Sequence, residues 1–275
     1  MIISSVYVRR MHVPGWLFFI LLAGFSSCDD NNIENEQIPL IPFSVITSYA
    51  HDTLAFTEGL LFYNDSLFES TGSPYYLPEA RSVFGPVNLS TGRISVRVEL
   101  DKQKYFGEGI TYLKGKFYQL TYTNKIGFVY DASTYETIGQ FSFLSDEGWG
   151  LTTDGTSLIM SDGSDKLTYL DTGAFLPTKV LNVTEKGKAI RYLNELEFIN
   201  GFIYANYWTT SRILKIDPES GKVVAEIDLD SLVSEAGSLY PASGELNGIA
   251  YHPGSNTIFV TGKFWPMVYE IALVE

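Results

Sequence analysis

Cysteine and histidine are nearly absent from this sequence. One of its 275 residues is a cysteine, Cys28, and three are histidines. His12 lies near the N-terminal apolar run, so the rest of the chain contains only His51 and His252. A disulfide, a cysteine nucleophile and a typical Cys/His zinc site are therefore excluded for the folded part of the chain. A Ser-His-Asp triad is not excluded, but no Gly-x-Ser-x-Gly motif supports one.

Positive charge is also scarce. The 19 Lys and Arg residues face 32 Asp and Glu residues, which gives a formal net charge of −13 at pH 7. Without Arg9 and Arg10, which precede the N-terminal apolar run, 17 basic residues remain and the net charge is about −15. Because binding to a phosphate backbone depends on clustered Lys and Arg, nucleic acid is not expected as a partner.

Long apolar runs are missing as well. The run GWLFFILLAGF at residues 15–25 is too short to span a bilayer comfortably, follows a basic start and ends shortly before Cys28. Residues 1–28 are therefore interpreted as a bacterial lipoprotein signal peptide, with Cys28 as the lipidation site. An ordinary secretory signal with an incidental cysteine is the alternative, because Phe25 is not the usual small or leucine-like residue. Both interpretations predict an exported protein, and the first predicts a lipid anchor in the cell envelope, facing the periplasm or the exterior.

The remainder divides into a linker and a folded domain. Residues 29–41 are polar and then proline-containing, which is typical of a flexible tether. Residues 42–275 carry the aromatic and aliphatic side chains needed for a large hydrophobic core.

One sequence unit recurs five times after the tether. Each copy opens with a strand that carries a glycine or an acidic pair, and a turn leads to a second strand. A third and a fourth strand follow in the first four copies, so the unit is a four-stranded meander. Aligned on Glu58, Glu108, Trp149, Glu195 and Asn247, the copies are 50, 41, 46 and 52 residues apart. The opening segments are FTEGLLFYND (56–65), FGEGITYLKG (106–115), EGWGLTTDG (147–155), NELEFING (194–201) and ELNGIAYHPG (245–254).

Four-stranded repeats of this length are typical of β-propeller blades. The fifth copy ends with its third strand, VYEIALVE, whereas PFSVITSYA at residues 42–50 precedes the first copy without a partner. Pairing these two segments in one sheet would remove both free edges. We therefore predict an all-β fold, a five-bladed β-propeller whose last blade is closed by the N-terminal strand. An open β-solenoid is the alternative, although its repeats are usually much shorter.

The first strand of each propeller blade lines the central channel, so polar residues of the five opening strands are expected to converge at its mouth. Asn194 and Glu195 would then face the axis beside Glu58, Glu108 and Trp149. Carboxylates that gather next to aromatic side chains raise one another's pKa, and such a group transfers protons near neutral pH. The simpler interpretation is that these polar residues solvate the channel while the tryptophans pack in the core. The glycines of the motif are interpreted as a packing requirement.

The ordered motifs resemble those of a known enzyme family. FTEGL, FGEGIT, EGWGLT, LNELEFI, YANYW, LNGIAY and VTGKFWP occur in this order. They are similar to the motifs of the plant-type (plant and bacterial) glutaminyl-peptide cyclotransferases, a five-bladed propeller family unrelated to the zinc-dependent animal enzymes. The resemblance covers residues from about 43 to 272. It implies conversion of the N-terminal glutamine of a peptide or protein to pyroglutamate, with release of ammonia and without a metal or another cofactor.

The resemblance also implies roles for individual residues. Glu108 in FGEG corresponds to the catalytic acid/base carboxylate. Asn194 in NELE and Lys263 in TGK correspond to polar residues that hold the substrate and stabilise the developing oxyanion. The implied substrate-binding residues are Phe56, Glu58, Phe106, Tyr122, Trp149 and Trp208.

Two of these positions depart from the family pattern. The family often has Gln where this chain has Glu58, and Trp where it has Tyr122. A second carboxylate close to Glu108 should raise the pKa of one of the two, or attract the cationic N-terminus of the substrate. Tyr122 offers a smaller wall with a hydroxyl group. The departures bear on substrate preference and pH optimum more than on the reaction.

Two other functions are compatible with a propeller. The first is a non-catalytic surface protein that binds a peptide or glycan at the same mouth, which has no need of Glu108, Asn194 and Lys263 together. The second is a metal-dependent lyase or lactonase, which the scarcity of histidine disfavours. The expected partners are peptides or proteins with an N-terminal glutamine and, through the lipid on Cys28, a membrane. The chain is expected to be a monomer.

Overall fold

The computed structural model describes residues 37–274 of the chain. The interpreted signal peptide, Cys28 and residues 29–36 of the interpreted tether lie outside these described residues. The strands and the helix, in chain order, are β1 (Phe43–Ala50), β2 (Phe56–Tyr63), β3 (Ser66–Gly72), β4 (Val83–Asn88), β5 (Arg93–Ile94), β6 (Val98–Glu99), β7 (Gly107–Leu113), β8 (Lys116–Thr121), β9 (Ile126–Asp131), β10 (Thr137–Ser142), β11 (Leu151–Thr153), β12 (Leu158–Ser161), β13 (Lys166–Leu170), β14 (Pro177–Asn182), β15 (Thr184–Glu185), β16 (Lys188–Ala189), β17 (Leu193–Ile199), β18 (Phe202–Tyr207), β19 (Arg212–Ile216), β20 (Val223–Asp228), α1 (Asp230–Leu239), β21 (Leu246–His252), β22 (Thr257–Gly262) and β23 (Met267–Leu273).

The strands form five antiparallel blades. Blade 1 consists of β2, β3 and β4, with the short strands β5 and β6 both pairing with β4. Blades 2, 3 and 4 are β7–β10, β11–β14 and β17–β20, and blade 5 is β21, β22, β23 and β1. The first strand of each blade contacts the first strands of both neighbouring blades, so these strands surround the channel. This arrangement confirms the predicted five-bladed propeller.

The N-terminal strand closes the last blade, as predicted. β1 runs antiparallel to β23, with Phe43 opposite Leu273 and Ala50 opposite Met267. Directly after β1, the Nε2 atom of His51 lies 3.1 Å from a carboxylate oxygen of Glu69 in blade 1, and both side chains are buried. The closing strand is therefore connected to both of the blades that it brings together.

The hydrophobic core is divided among the interfaces between blades. Each of five buried clusters combines side chains from two adjacent blades. The cluster of Leu60, Leu67 and Val87 with Ala250, Phe259 and Val268 joins blade 1 to blade 5. Because this last interface also buries apolar side chains, the ring is held closed by burial as well as by the pairing of β1 with β23.

Turn residues fix the inner hairpin of several blades. Asn64 and Asp65 both have positive φ, of 49° and 55°, and Asn200 and Gly201 have φ of 49° and 85°. Two successive positive φ values are typical of type I′ turns, which match the right-handed twist of the strands. These turns lie at the opposite end of the blades from the start of the first strand.

Two features differ from the sequence interpretation. The end of the interpreted tether is paired with blade 4, because the N–H of Ile41 donates to the carbonyl of Glu226 and the N–H of Glu226 donates to that of Pro39. Helix α1, which no repeat signal predicted, follows blade 4 and buries Leu232 and Ala236 against the interface of blades 4 and 5. Between residues 37 and 274, no helix has the length and apolar character needed to cross a membrane.

Candidate active site

A β-bulge interrupts the first strand of the blades at the repeated motif. In β2, Thr57 lies opposite Thr71 and Gly59 opposite Ser70, which leaves Glu58 as an extra residue. An extra residue breaks the alternation of side chains and turns successive side chains toward the same region. The same shift in register occurs in three other blades, between Gly107 and Ile110 in β7, Leu193 and Leu196 in β17, and Leu246 and Ile249 in β21. In blade 3 the corresponding feature lies just before β11, where the N–H of Trp149 donates to the carbonyl of Ser161 and the N–H of Ser161 donates to the carbonyl of Gly150.

The bulges define which residues are equivalent and correct the sequence alignment. In four blades the bulge consists of a variable residue followed by glycine, and in blade 4 it is Asn194 followed by Glu195. Asn194, not Glu195, is therefore the equivalent of Glu108. The glycine is required where blades approach closely, since a Cβ on Gly150 would lie 2.1 Å from the carbonyl oxygen of Asn194. Glu195 occupies the position at which the other four blades have glycine. Because the sequence alignment matched Glu195 to Glu108 as a carboxylate, it was displaced by one residue in blade 4.

Glu195 lies in the channel, but it holds the blades together. Its two carboxylate oxygens accept hydrogen bonds from the backbone N–H of Leu60 in blade 1, at 3.2 Å, and of Ile249 in blade 5, at 2.8 Å. Glu197 accepts from the N–H of Tyr251 at 3.0 Å. Burial raises the pKa of Glu195 well above its usual value and that of Glu197 to about 8. The sequence did not distinguish these structural carboxylates from those of the mouth.

The mouth of the channel has a buried polar floor. The ammonium nitrogen of Lys263 lies 2.9 Å from Oε1 of Glu58, and the side-chain N–H of Asn247 donates to Oε2 of Glu58 at 2.9 Å. The same Lys263 nitrogen stands 4.2 Å from the ring centre of Phe56. Although burial lowers the pKa of Lys263, the charges of Glu58 and Glu108 raise it above its ordinary value. The lysine is therefore charged, and Glu58 is the partner that its burial requires.

Glu108 occupies the same floor with different bonding. It is buried, and its carboxyl group forms no hydrogen bond with residues 37–274. Burial and then the charge of Glu58 raise the pKa of Glu108 well above its usual value, while Lys263 opposes them. Burial raises the pKa of Glu58 itself to about 7, against the attraction of Lys263. Each of the two close carboxyls thus disfavours the charged form of the other.

Half-buried aromatic rings stand above this floor. Phe56 lies edge-on to Phe106, with ring centres 5.8 Å apart, and Phe106 lies 5.9 Å from Tyr122. On the other side Trp149 and Trp208 form an edge-to-face pair at 5.5 Å. Such pairs prefer defined orientations and contribute about 0.5–1.5 kcal/mol beyond burial. All six predicted substrate-binding residues therefore lie at one end of the channel, Glu58 in the floor and the five aromatic residues in the wall.

Asn194 lies at this end of blade 4 and is buried. Its backbone carbonyl accepts from the hydroxyl of Ser161 at 2.7 Å, whereas its side-chain oxygen has no hydrogen-bond partner among residues 37–274. A buried amide oxygen without a partner is costly unless a ligand supplies one. The structure thus joins Glu58 and Lys263 in an ion pair, places Glu108 where its charge acts on both, and places Asn194 at the equivalent bulge position of blade 4.

Two residues of the site were missed by the sequence interpretation. The ring of Phe264 lies 5.1 Å from that of Phe56, and Glu147 accepts a hydrogen bond from the indole N–H of Trp149 at 2.8 Å. Both are immediate neighbours of predicted residues, Phe264 in TGKFW and Glu147 in EGWG. The signal available in the sequence was that each lies within two residues of a predicted site residue. The sequence alone does not show which of the neighbouring side chains faces the site.

Two clefts accompany the channel. One of about 470 Å³ lies beside the mouth and is lined by Glu147, Trp149 and Tyr192 among others. A larger one of about 730 Å³ lies near the hairpin turns of blades 4 and 5, with Lys215 as its single charged side chain. The acid and base groups are at the mouth, so size does not identify the site here. Between residues 37 and 274, no three His, Cys, Asp or Glu side chains are placed to hold a metal ion.

Comparisons with known proteins agree with this geometry. Residues 17–273 match the family model described as glutamine cyclotransferase. The chain belongs to the glutamine cyclotransferase family. A glutaminyl-peptide cyclotransferase of Arabidopsis thaliana is 37% identical over 235 residues, which cover 84% of this chain and 71% of the plant protein. The crystal structure of Myxococcus xanthus glutaminyl cyclase matches with a TM-score of 0.77 and 33% identity, covering 86% of this chain and 100% of that one.

Membership of the family confirms the resemblance inferred from the motifs. It also decides between the functions considered from the sequence, in favour of the glutaminyl-peptide cyclotransferase and against a propeller that only binds peptide or glycan.

Proposed function

We propose that this glutamine cyclotransferase acts on peptides and proteins with an N-terminal glutamine by metal-independent acid/base catalysis, with Glu108 as the group that moves the protons. The observation that carries the proposal is the carboxyl of Glu108, which has no hydrogen-bond partner among residues 37–274 and is buried next to the Glu58–Lys263 ion pair, below an aromatic wall. A general acid/base needs a carboxyl that titrates near the working pH and has no competing hydrogen bond.

The reaction needs two proton transfers at neighbouring atoms. The α-amine nitrogen of the substrate attacks the carbon of the side-chain amide, a carbon–nitrogen bond forms, and the carbonyl electrons move to the oxygen. The carboxylate of Glu108 accepts the proton that the amine loses and returns it to the amide nitrogen. The original carbon–nitrogen bond then breaks, ammonia leaves, and the carbonyl of pyroglutamate re-forms. Glu108 ends in its initial state, so no other reactant is consumed.

The remaining residues hold the reacting conformer. Lys263 has three N–H donors, of which one faces Glu58, so its charge is available to stabilise the oxygen on which negative charge develops. The side-chain oxygen of Asn194 is suited to accept an N–H of the substrate. The aromatic wall restricts the glutamine side chain to the bent form. Because ring closure is intramolecular, this restriction supplies a large part of the acceleration.

The proposed location of the protein is the bacterial cell envelope, with a lipid on Cys28 as the membrane anchor and a monomeric catalytic domain. The apolar run at residues 15–25 followed by Cys28 supports this proposal. Mass spectrometry of the N-terminus of the mature protein tests it: a chain that retains residues 1–27, or an unmodified Cys28, would overturn the anchor.

The activity is tested with a glutamine-initiated dipeptide, by measuring ammonia and the mass of the product with and without a chelator. We expect ammonia and pyroglutamyl product in equal amounts, unchanged by the chelator. The same dipeptide with an acetylated α-amine is the control and should not react, because the nucleophile is blocked. Absence of product from the free dipeptide would overturn the activity, and loss of activity on chelation would overturn the metal-independent mechanism.

A further inference from the structure

Glu147 differs from the other charged residues around the mouth. None of the ion pairs in residues 37–274 includes it, and it is only half-buried. Its Oε2 atom instead accepts the indole N–H of Trp149 at 2.8 Å. A charged acceptor is thus used to hold an aromatic ring of the substrate wall.

The backbone around Glu147 is itself anchored. The hydroxyl of Ser145 donates to the carbonyl of Glu147 at 2.9 Å, and the N–H of Gly148 donates to the carbonyl of Tyr122 at 2.8 Å. These bonds fix the segment between blades 2 and 3 against the end of β8. The backbone that carries this carboxylate is therefore held in place.

The ring of Trp149 depends on this bond for its orientation. Its other neighbours are Trp208, edge-on at 5.5 Å, and Gly163, on which the ring packs so closely that a Cβ would lie 2.6 Å from it. These contacts restrict the plane of the indole, and the hydrogen bond to Glu147 favours the ring orientation in which the indole N–H faces this carboxylate. A hydrogen bond to a charged group contributes about 1.5–3 kcal/mol, enough to favour one ring orientation strongly.

Glu147 also lies close to the opposite half of the wall. Burial and then its negative charge raise the pKa of Tyr122 to about 12, which keeps the hydroxyl neutral. The segment of Glu147 thus contacts both halves of the wall, because the N–H of Gly148 donates to the carbonyl of Tyr122 while Glu147 itself accepts from the indole of Trp149.

We propose that Glu147 is a positioning residue of the active site, which orients the indole of Trp149 in the aromatic wall that binds the glutamine side chain. This inference rests on the proposed function. It assigns a role in substrate binding to a residue that does not touch the reacting atoms.

The test compares Glu147→Ala and Glu147→Gln with the wild-type chain in the ammonia assay. Loss of the bond to Trp149 should raise KM for the dipeptide about tenfold in Glu147→Ala, with a smaller change in kcat. Glu147→Gln, which retains one acceptor oxygen, should give an intermediate KM. Asp146→Asn is the matched control, because Asp146 is the adjacent carboxylate, is 94% exposed at its side chain and pairs with Lys125. This control should keep the wild-type KM.

A second comparison separates positioning from a general structural effect. If Glu147 acts through the indole, Glu147→Ala should raise KM much less in a Trp149→Phe background than in the wild type. Equal effects in both backgrounds, or an unchanged KM in Glu147→Ala with wild-type activity intact, would overturn this inference alone. A wild-type chain that releases no ammonia would overturn the proposed function, and the role of Glu147 with it. Melting temperatures of all variants show whether each one is folded.

Discussion

Glu108 and Glu195 are the same residue type in two neighbouring regions of one channel, and they differ in their bonds. Both are buried, with 5% and 0% of their surface exposed, and burial raises the pKa of both well above its usual value. Both oxygens of Glu195 accept backbone N–H groups from other blades. The carboxyl of Glu108 has no such partner among the described residues, and lies beside the charges of Glu58 and Lys263.

Burial and a raised pKa therefore do not by themselves identify a catalytic acid. Glu195 has both properties because it is buried at the centre of the ring, where backbone N–H groups need acceptors. The distinguishing property is unused hydrogen-bonding capacity next to a space that a substrate can enter. Variants of the two residues should therefore separate catalysis from stability.

The largest expected effect is on turnover in Glu108→Gln. The amide has nearly the same volume but cannot carry the proton from the amine to the leaving nitrogen, so kcat should fall by a factor of about 10²–10⁴. The melting temperature should stay near that of the wild type, since the carboxyl of Glu108 forms no hydrogen bond or ion pair within the described part of the chain. Near-normal turnover in this variant would show that Glu108 is not the acid/base group, and Glu108 and Glu195 would then not differ in function.

Glu195→Gln should show the reverse pattern. One of the two backbone donors, on Leu60 or Ile249, would then face an N–H₂ group instead of an oxygen. The free energy of unfolding should fall by about 1–3 kcal/mol, measured by denaturant titration. Turnover below the melting range should remain close to that of the wild type. A large loss of kcat in a stably folded Glu195→Gln would show that this carboxylate takes part in catalysis, and would contradict the assignment of catalysis to Glu108 and of stability to Glu195.

A further comparison concerns Glu197 and the pH dependence of stability. Burial raises its pKa from 4.5 to about 8 in the folded chain, so across this window the folded state holds a proton that the unfolded state has released. Stability contributed by this group is therefore present at low pH and is lost as pH rises toward 8. In Glu197→Gln the free energy of unfolding should decline less steeply between pH 5 and pH 8. An identical slope in both proteins would show that Glu197 does not titrate in this range.

The sequence was sufficient for the fold because two signals of different kind agreed. Turn residues such as Asn64-Asp65 and Asn200-Gly201 marked the hairpins, and the repeat length marked the blades. The first and the last strand of the folded domain each had no partner within its own repeat. Pairing them removes two free sheet edges, so the pairing of β1 with β23 could be predicted. Helix α1 could not be predicted in this way, because its burial depends on a gap between blades 4 and 5 that only the assembled ring creates.

The site was predicted less completely than the fold. The resemblance supplied Glu108, Asn194 and Lys263, and the structure brings Glu108 and Lys263 into one electrostatic cluster. The β-bulges were invisible in the sequence, since an extra residue changes the direction of side chains without changing residue types. For this reason the repeat was aligned on Glu195 in blade 4, and Glu147 was read only as part of a motif.

Closure of blade 5 by β1 also makes the mouth depend on the seam of the ring. The ion pair at the mouth joins Glu58 of blade 1 to Lys263 of blade 5, so it crosses this seam. Local opening between blades 5 and 1 separates the two charges even while the inner hairpins of the other blades stay folded. Loss of activity on mild destabilisation should therefore precede global unfolding.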